Sequence, residues 1–237
     1  MKTIIYSSNK GGVGKSSIAL NVSGGLGLKG KVLFIGLDGQ KNSSGILAKE
    51  KTSNSIYEVL QGKVKLQDAI YESQFKNVWY VPESRKLDNA SVDKLAIKKL
   101  LQPLIGTFSH VIIDCPPALS SVVYSAYTSA TMVVIPTELD RFSSSNIVTV
   151  INTIEHLNRD ANIVVLPNKI VGNSKLHRKV KGELEQFIKT KDNVSLGNSL
   201  PQRIEITNQM FEGKLLILSN KINQLKTELK KHVKDVR

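Results

Sequence analysis

The chain has 237 residues and carries 33 Lys and Arg against 20 Asp and Glu, a formal net charge of +13. Its hydrophobic fraction of 41% argues against global disorder, and its length suits one sizeable core. Its one cysteine, Cys115, excludes an internal disulfide and any zinc or iron–sulfur site that needs several cysteines of one chain. We therefore expect one domain over residues 1–237, in the cytoplasm, bound to a polyanion such as nucleic acid or an anionic membrane.

Short apolar runs alternate along the chain with longer segments of helical periodicity. The runs that predict strands are 3–7, 31–35, 78–81, 110–114, 131–135 and 162–166. The segments that predict helices are 16–29, 91–102, 119–129, 142–158, 174–190 and, at the basic end of the chain, about 214–236. Residues 41–75 show no clear pattern. Apolar strands that alternate with helices are typical of a doubly wound α/β fold, a mostly parallel sheet with helices on both faces.

A phosphate-binding loop, NKGGVGKSS at residues 9–17, directly follows the first predicted strand. Its glycines let successive backbone N–H groups surround a phosphate, and the helix that follows points its positive end at the same anion. Lys15 can supply a charge to the terminal phosphates, and the Ser16 hydroxyl can bind Mg²⁺. The loop departs from the general P-loop pattern at Asn9, where that pattern has glycine.

Lys10, five residues before Lys15, makes this loop more specific. A lysine at that place marks the deviant Walker A motif, and the chain resembles the ParA/MinD group of P-loop ATPases, in particular the small ParA-type DNA-partition ATPases. The resemblance implies ATP and Mg²⁺ as cofactors and an ATP-dependent homodimer, in which Lys10 reaches the phosphates of the second subunit. The nucleotide-binding residues that it implies in this loop are Lys10, Gly11, Gly12, Val13, Gly14, Lys15, Ser16 and Ser17.

Two acidic residues follow predicted strands and complete the expected site. Asp38 comes after the second strand, and Asp114 ends the fourth. A carboxylate at a strand end beside a phosphate loop can activate water or bind Mg²⁺. The resemblance implies that Asp38 orients the attacking water and adds to the metal site, and that Asp114 is the metal-site acid. The family pattern is Asp-x-Asp-Pro-Gln, and this chain departs from it because Gly36 and Gly39 replace the first aspartate and the proline.

Asn168 and Pro201 are candidates for the adenine pocket. Asn168 follows the sixth predicted strand, and its amide offers both a donor and an acceptor to a purine edge. Pro201 lies in a Leu-Pro-Gln-Arg segment that resembles the family's Ile-Pro-Arg segment against adenine. Both residues also fit ordinary turns.

The positive charge is concentrated towards the end of the chain, where residues 175–237 hold 14 basic and seven acidic side chains. The segment has no base-reading module, so phosphate contacts and sequence-independent DNA binding are expected. The resemblance implies the same activity, switched on by the ATP-bound dimer. For each candidate DNA contact, a solvated side chain is an equal alternative; the candidates are Lys175, Arg178, Lys179, Arg203, Lys230 and Lys231.

The last predicted helix has an apolar stripe and lysines on its other faces. The stripe consists of Ile222, Leu225, Leu229, Val233 and Val236. The helix fits three interpretations: packing on the body of the domain, DNA contact through its basic face, or a membrane-surface helix. The stripe lacks Trp and Phe, so a membrane is the least favoured of these.

The sequence therefore predicts a nucleoid-associated ATPase that segregates a plasmid or chromosome. The resemblance implies slow ATP hydrolysis, which a ParB-type centromere-binding adaptor stimulates and which releases the dimer from DNA. Two alternatives stay open. One is a MinD-like ATPase that positions itself on membranes, and the other is an ATP-gated DNA-binding module without catalysis.

Overall fold

The computed structural model describes residues 1–40, 43–140, 143–220 and 223–237. The described strands form one eight-stranded sheet in the order β3-β4-β2-β5-β1-β6-β7-β8. Every neighbouring pair is parallel except β3 and β4, which confirms the doubly wound fold. The strands are β1 (Lys2–Tyr6), β2 (Val32–Gly36), β3 (Tyr71–Glu72), β4 (Val78–Val81), β5 (His110–Asp114), β6 (Met132–Thr137), β7 (Asn162–Pro167) and β8 (Val194–Leu196).

The helices of the described residues flank this sheet. They are α1 (Lys15–Gly27), α2 (Ser44–Leu47), α3 (Ile56–Leu60), α4 (Ala96–Leu101), α5 (Ser121–Ser129), α6 (Ser143–Leu157), α7 (Lys175–Ile188), α8 (Glu205–Phe211) and α9 (Gln224–Val236). The predicted helix over 91–102 is shorter than expected, because α4 begins five residues later, at Ala96. A 3₁₀ turn at Gln102–Leu104, with proline in its first turn, follows its end. The first residue of the predicted helix 142–158 lies outside the described residues.

The strands alternate their side chains between two hydrophobic cores, one on each face of the sheet. On β1, Ile4 and Tyr6 enter the core that contains α1 and α9, whereas Ile5 enters the opposite core with residues of α4 to α7. The neighbouring strand β5 repeats this alternation. Both faces of the sheet are buried, as its near-continuous apolar strands require.

Helix α1 is buried on nearly all sides, with 11 of its 13 residues buried. Its glycines allow close packing that larger residues would prevent. A Cβ atom on Gly25 would lie 2.9 Å from a methyl group of Val233 in α9. A Cβ atom on Gly27 would lie 2.8 Å from the carbonyl oxygen of Lys76. The glycines that weaken the helical pattern in sequence therefore allow the C-terminal helix and the loop before β4 to approach α1 closely.

The predicted C-terminal helix is wrong at its start, because α9 begins at Gln224 and not near 214. The Asn223 side chain caps it by accepting a hydrogen bond from the Lys226 N–H at 2.8 Å. A 3₁₀ turn at Leu216–Leu218 precedes it. Ile222 of the predicted stripe lies outside the described residues. The other stripe residues pack in the α1 core, so the apolar side of α9 covers the body of the domain.

A buried histidine joins α9 to the first strand. His232 is fully buried, and its Nε2 lies 3.0 Å from the Tyr6 hydroxyl oxygen. Its Nδ1 is buried without a hydrogen-bond partner among the described residues. Burial lowers the pKa of His232 to about 4, so the folded chain holds this imidazole neutral.

We expect this histidine to make folding stability depend on pH. The unfolded chain protonates His232 near its ordinary pKa of 6.5, whereas the folded chain does so only near 4. The free energy of unfolding therefore falls as pH drops through this window, by about 2 kcal/mol from this group at pH 5. Asp114 acts in the opposite direction, because burial raises its pKa to about 7. The measurement is the difference in unfolding free energy between the wild type and His232→Gln, followed from pH 7.5 to 5; a constant difference would refute the expectation.

Candidate functional site

The first strand ends in the middle of the sheet, between β5 and β6. From β1 the chain crosses to β2 on one side, and its later strands β6 to β8 extend the sheet on the other. Such a switch point leaves a crevice at the carboxyl ends of the strands, where ligands bind in open α/β sheets. The predicted phosphate loop occupies this crevice.

Two glycines of the loop have backbone conformations that favour glycine. Gly12 has φ 74°, and Gly14, the N-cap of α1, has φ 95°. A Cβ atom on Gly14 would also lie 2.5 Å from Nδ2 of Asn168. That Nδ2 donates to the Val13 carbonyl oxygen at 2.8 Å. Asn168, predicted as a base-recognition residue, thus holds the phosphate loop with its amide nitrogen.

The Lys15 ammonium is buried in the loop. The residue is 6% exposed, and its Nζ donates to the carbonyl oxygen of Lys10 at 3.2 Å. Burial lowers the pKa of Lys15, while the charges of Asp114 and Asp38 raise it less. A buried ammonium at the start of a helix, surrounded by backbone N–H groups, forms a site for a phosphate.

Asp114 lies beside Lys15 at the end of β5 and is 1% exposed. Its Oδ2 accepts a hydrogen bond from the Ser43 hydroxyl at 3.1 Å, whereas its Oδ1 is buried without a partner among the described residues. Burial raises the pKa of Asp114 to about 7, although hydrogen bonds from Ser16 and Ser43 and the charge of Lys15 lower it. The unsatisfied carboxylate oxygen near the Ser16 hydroxyl fits a divalent cation, because Mg²⁺ prefers oxygen ligands.

Asp38 follows β2 and is half-buried. Its Oδ1 accepts the Gln40 N–H at 3.1 Å, a contact that closes the turn. Its charge reaches the site, since it raises the pKa values of Lys15 and Asp114. The structure therefore brings Asp38 near the loop, and its role towards water or metal stays a prediction.

A cavity of about 360 Å³ opens beside the loop. Its lining brings the two predicted adenine-pocket residues together with the loop: Gly12, Gly14, Ile18, Asn168, Pro201 and Ile206. The backbone bridge between Ile170 and Pro201 holds the two segments side by side. The volume and the mixed apolar and polar lining suit a nucleotide base.

Lys10 lies at the outer side of the loop and forms an ion pair with Asp140, which follows β6. The side chains of Lys10 and Asp140 are 40% and 35% exposed. The hydrogen bond from Lys10 to Asp140 raises the pKa of the lysine. The sequence pointed to Lys10 but not to Asp140, which lies 130 residues further along the chain.

The six candidate DNA contacts are all exposed. Lys175, Arg178 and Lys179 lie in the first turns of α7, and Arg203 lies close in the chain to the Ile170–Pro201 bridge. An Arg203 Nη2 lies 3.4 Å from the Gln224 side-chain oxygen at the start of α9. Lys230 and Lys231 follow further along that helix, where Lys231 pairs with Glu228 at 2.9 Å.

The described part of the chain contains neither a membrane-spanning helix nor a cluster of metal-binding side chains. No helix is long and apolar enough to cross a membrane. No group of three or more His, Cys, Asp or Glu side chains could hold a metal ion. A Mg²⁺ ion at Asp114 would draw further oxygen ligands from the Ser16 hydroxyl, the nucleotide and water, and Asp38 as another ligand stays a prediction.

Comparison with known proteins places this site in a family. The AAA domain family matches residues 1–165. The chromosome-partitioning ATPase Soj of Treponema pallidum is 30% identical over 171 residues, which cover 68% of this chain and 66% of that protein. The sporulation initiation inhibitor protein Soj of Bacillus subtilis is 26% identical over 232 residues, 92% of this chain and 90% of that protein.

A solved structure shows the same fold. The Cyanothece McdA(D38A)–ATP complex aligns with a TM-score of 0.89 over 100% of this chain and 96% of that chain, at 22% sequence identity. The phosphate loop with Lys10, Asp38 after β2 and Asp114 at the end of β5 indicate the same family as these relatives do. The chain belongs to the ParA/MinD group of P-loop ATPases, as the resemblance in its sequence indicated.

Proposed function

We propose that this protein is an ATP-dependent DNA-partition ATPase that acts as a homodimer. The contrast between its two loop lysines carries the proposal. Lys15 is buried inside the loop, whereas Lys10 lies outside it with its side chain 40% exposed. The proposal assigns Lys15 to the protein's own nucleotide and Lys10 to the nucleotide of a second subunit.

The residues of the loop would divide the work on ATP. The backbone N–H groups and Lys15 bind the phosphates, while Asn168 keeps the loop in shape and the cavity beside Pro201 receives adenine. Ser16 and Asp114 hold Mg²⁺, which neutralises phosphate charge when bound. Asp38 orients the attacking water from the end of β2, so hydrolysis is slow until the segment around Asp38 is fixed in place.

Dimerisation would create the DNA-binding state. Each subunit presents exposed basic side chains on α7, at Arg203 and on α9, and two weak basic surfaces bind one DNA molecule far better together than singly. The name of the Treponema relative, a chromosome-partitioning ATPase, supports partition as the process. A ParB-type adaptor would stimulate hydrolysis, and ADP would return the protein to the monomer. The nucleoid would then be its place in the cell.

The packing of α9 weighs against the MinD-like alternative, in which this helix would bind a membrane surface. Leu225 and Leu229 are 2% and 0% exposed, so the apolar side is already occupied by the protein's own core. An anchor made by this helix would have to leave that core first. The module without catalysis is favoured by the departures from the family pattern at Gly36 and Gly39 and by the engagement of Asp38 with Gln40. Such a module would release no more phosphate from ATP than its Asp38→Ala variant, whereas an ATPase would release more.

The test is binding of plain duplex DNA with ATP, with ADP and without nucleotide. We expect ATP to tighten binding by about tenfold or more through the second basic surface. Lys10→Ala should still bind ATP but lose this gain, because it cannot complete the dimer. Lys29→Ala, a change at an exposed lysine of the loop after α1, is the matched control and should behave as the wild type.

DNA binding that is equal with ATP and ADP would refute the partition proposal. ATP-dependent binding to anionic vesicles without ATP-dependent DNA binding would support the membrane alternative. Binding should also weaken steeply as salt rises from low to physiological concentration, because phosphate contacts release counterions.

A further inference from the structure

Gly36 departs from the family pattern at a place where the structure provides another carboxylate. Gly36 ends β2 and pairs with Asp114 across the sheet. A Cβ atom on Gly36 would lie 2.6 Å from Oε2 of Glu83. Glu83 follows β4, the neighbour of β2 on its other side. The space next to the backbone of position 36 is therefore filled by a carboxylate from the adjacent strand.

Gly39, the second departure, shows the same relation. A Cβ atom on Gly39 would lie 2.6 Å from a carboxylate oxygen of Asp88. Both departures thus face acids of the segment after β4. The two glycines leave space for the Glu83 and Asp88 side chains, which come from a distant part of the sequence.

Glu83 is bound tightly and is 4% exposed. Its Oε1 accepts the backbone N–H groups of Ser43 at 3.1 Å and of Ser44 at 3.0 Å, and its Oε2 accepts the Ser44 hydroxyl. These three hydrogen bonds fix the segment that enters α2. A buried carboxylate with several donors holds backbone strongly, because each charged hydrogen bond exceeds a neutral one.

The fixed segment acts directly on the metal-site acid. The Ser43 hydroxyl donates to Oδ2 of Asp114 at 3.1 Å and leaves Oδ1 as the oxygen without a partner. Glu83 thereby reaches Asp114 through one serine. Partners of this kind orient a ligand and commonly set metal affinity.

We propose that Glu83 is a positioning residue for the Mg²⁺ site, and that it takes over from β4 the carboxylate that the family pattern has at position 36. Glu83 holds Ser43, and Ser43 turns the Asp114 carboxylate so that one oxygen is presented to the cation. The inference rests on the proposed function, because it requires Mg²⁺ and nucleotide at this site.

The experiment measures how much Mg²⁺ is needed to tighten binding of a fluorescent ATP analogue. Glu83→Ala should raise the half-saturating Mg²⁺ concentration by about tenfold, as loss of an outer partner of a metal ligand does. Ser43→Ala should have a similar effect, and the two changes combined should add little, since they break the same route. Ser44→Ala is the matched control, because it removes one Glu83 contact and leaves Ser43 in place; it should stay within about twofold.

If Glu83 supplies the carboxylate that the family has at position 36, substitutions at residues 36 and 83 should compensate each other. Gly36→Asp alone should impair Mg²⁺ binding, because its side chain meets Glu83. Gly36→Asp combined with Glu83→Ala should recover most of the loss and come within about threefold of the wild type. If Glu83→Ala does not fold, Glu83→Gln keeps the length and one oxygen acceptor and should still raise the Mg²⁺ requirement.

Two controls separate the possible failures. Binding in EDTA and the unfolding midpoint without nucleotide should change little in the double variant. A purely structural role of Glu83 would lower nucleotide binding equally with and without Mg²⁺, and that result would overturn the proposal. An unchanged Mg²⁺ requirement in Glu83→Ala, or no rescue in the double variant, would overturn it as well. If the wild type itself shows no Mg²⁺-dependent nucleotide binding, the proposed function fails and the inference falls with it.

Discussion

Lys15→Met is expected to weaken ATP binding by about 100-fold or more, close to 3 kcal/mol, because the proposed role of the ammonium is to make charged contacts with the phosphates. Methionine keeps most of the length and apolar volume of lysine, so the change removes the charge and little else. Isothermal titration of the wild type and the variant with ATP and Mg²⁺ measures the effect. Affinity within fivefold of the wild type would contradict the role of Lys15.

Lys15→Met should not destabilise the nucleotide-free protein, although it weakens ATP binding. Burial lowers the pKa of Lys15, which means that the folded chain without nucleotide destabilises this charge. Lys15→Met should therefore have an unfolding midpoint equal to or above that of the wild type when no nucleotide is present. A variant that loses both stability and ATP binding would show that Lys15 supports the loop rather than the ligand.

Leu229→Ala should lower the free energy of unfolding by about 2–5 kcal/mol, because it leaves a cavity in a core that cannot close it. Leu229 is 0% exposed and belongs to the core that also contains residues of α1 and of the 3₁₀ turn before α9. Denaturant unfolding followed by circular dichroism measures the change. A loss below about 1 kcal/mol would mean that α9 is only loosely attached.

Lys230→Ala is the matched control on the same helix. Lys230 is exposed, so its replacement should alter stability by no more than about 0.5 kcal/mol. The same variant should weaken ATP-dependent DNA binding if the basic side of α9 contacts phosphates. The pair of variants thus separates the two sides of the helix, one for the core and one for DNA.

Local sequence was sufficient for much of the fold. β1, β2, β5, β6 and β7 are near-continuous apolar runs bounded by turn residues, and those features alone identify buried parallel strands. The edge strands β3 and β8 have two and three residues and were missed, because such short runs carry no periodicity. The start of α9 was misplaced, because a 3₁₀ turn at Leu216–Leu218 occupies part of the segment that was expected to be helical.

The part of the candidate site that lies in one continuous motif could be predicted from the sequence. The loop with Lys10 and Lys15 is contiguous, so its residue types reveal its chemistry. Glu83, Ser43 and Asp140 could not be found in the same way, because their partners are distant in the chain. Glu83 acts on Ser43 at a separation of 40 residues, Ser43 on Asp114 at 71, and Asp140 on Lys10 at 130. Asn168 was predicted to recognise the base, and the structure adds a contact that the sequence does not reveal, from its amide nitrogen to the Val13 carbonyl oxygen of the loop.

The ion pair between Lys10 and Asp140 has a consequence for how a dimer could assemble. A lysine that reaches into a second subunit must first leave its own carboxylate, so assembly exchanges one charged contact for another. Because both side chains are more than a third exposed, the contact that is given up is worth only about 1 kcal/mol or less. Such a contact keeps the lysine extended in a defined direction while the protein is alone, and it releases the lysine readily to a stronger anion such as triphosphate.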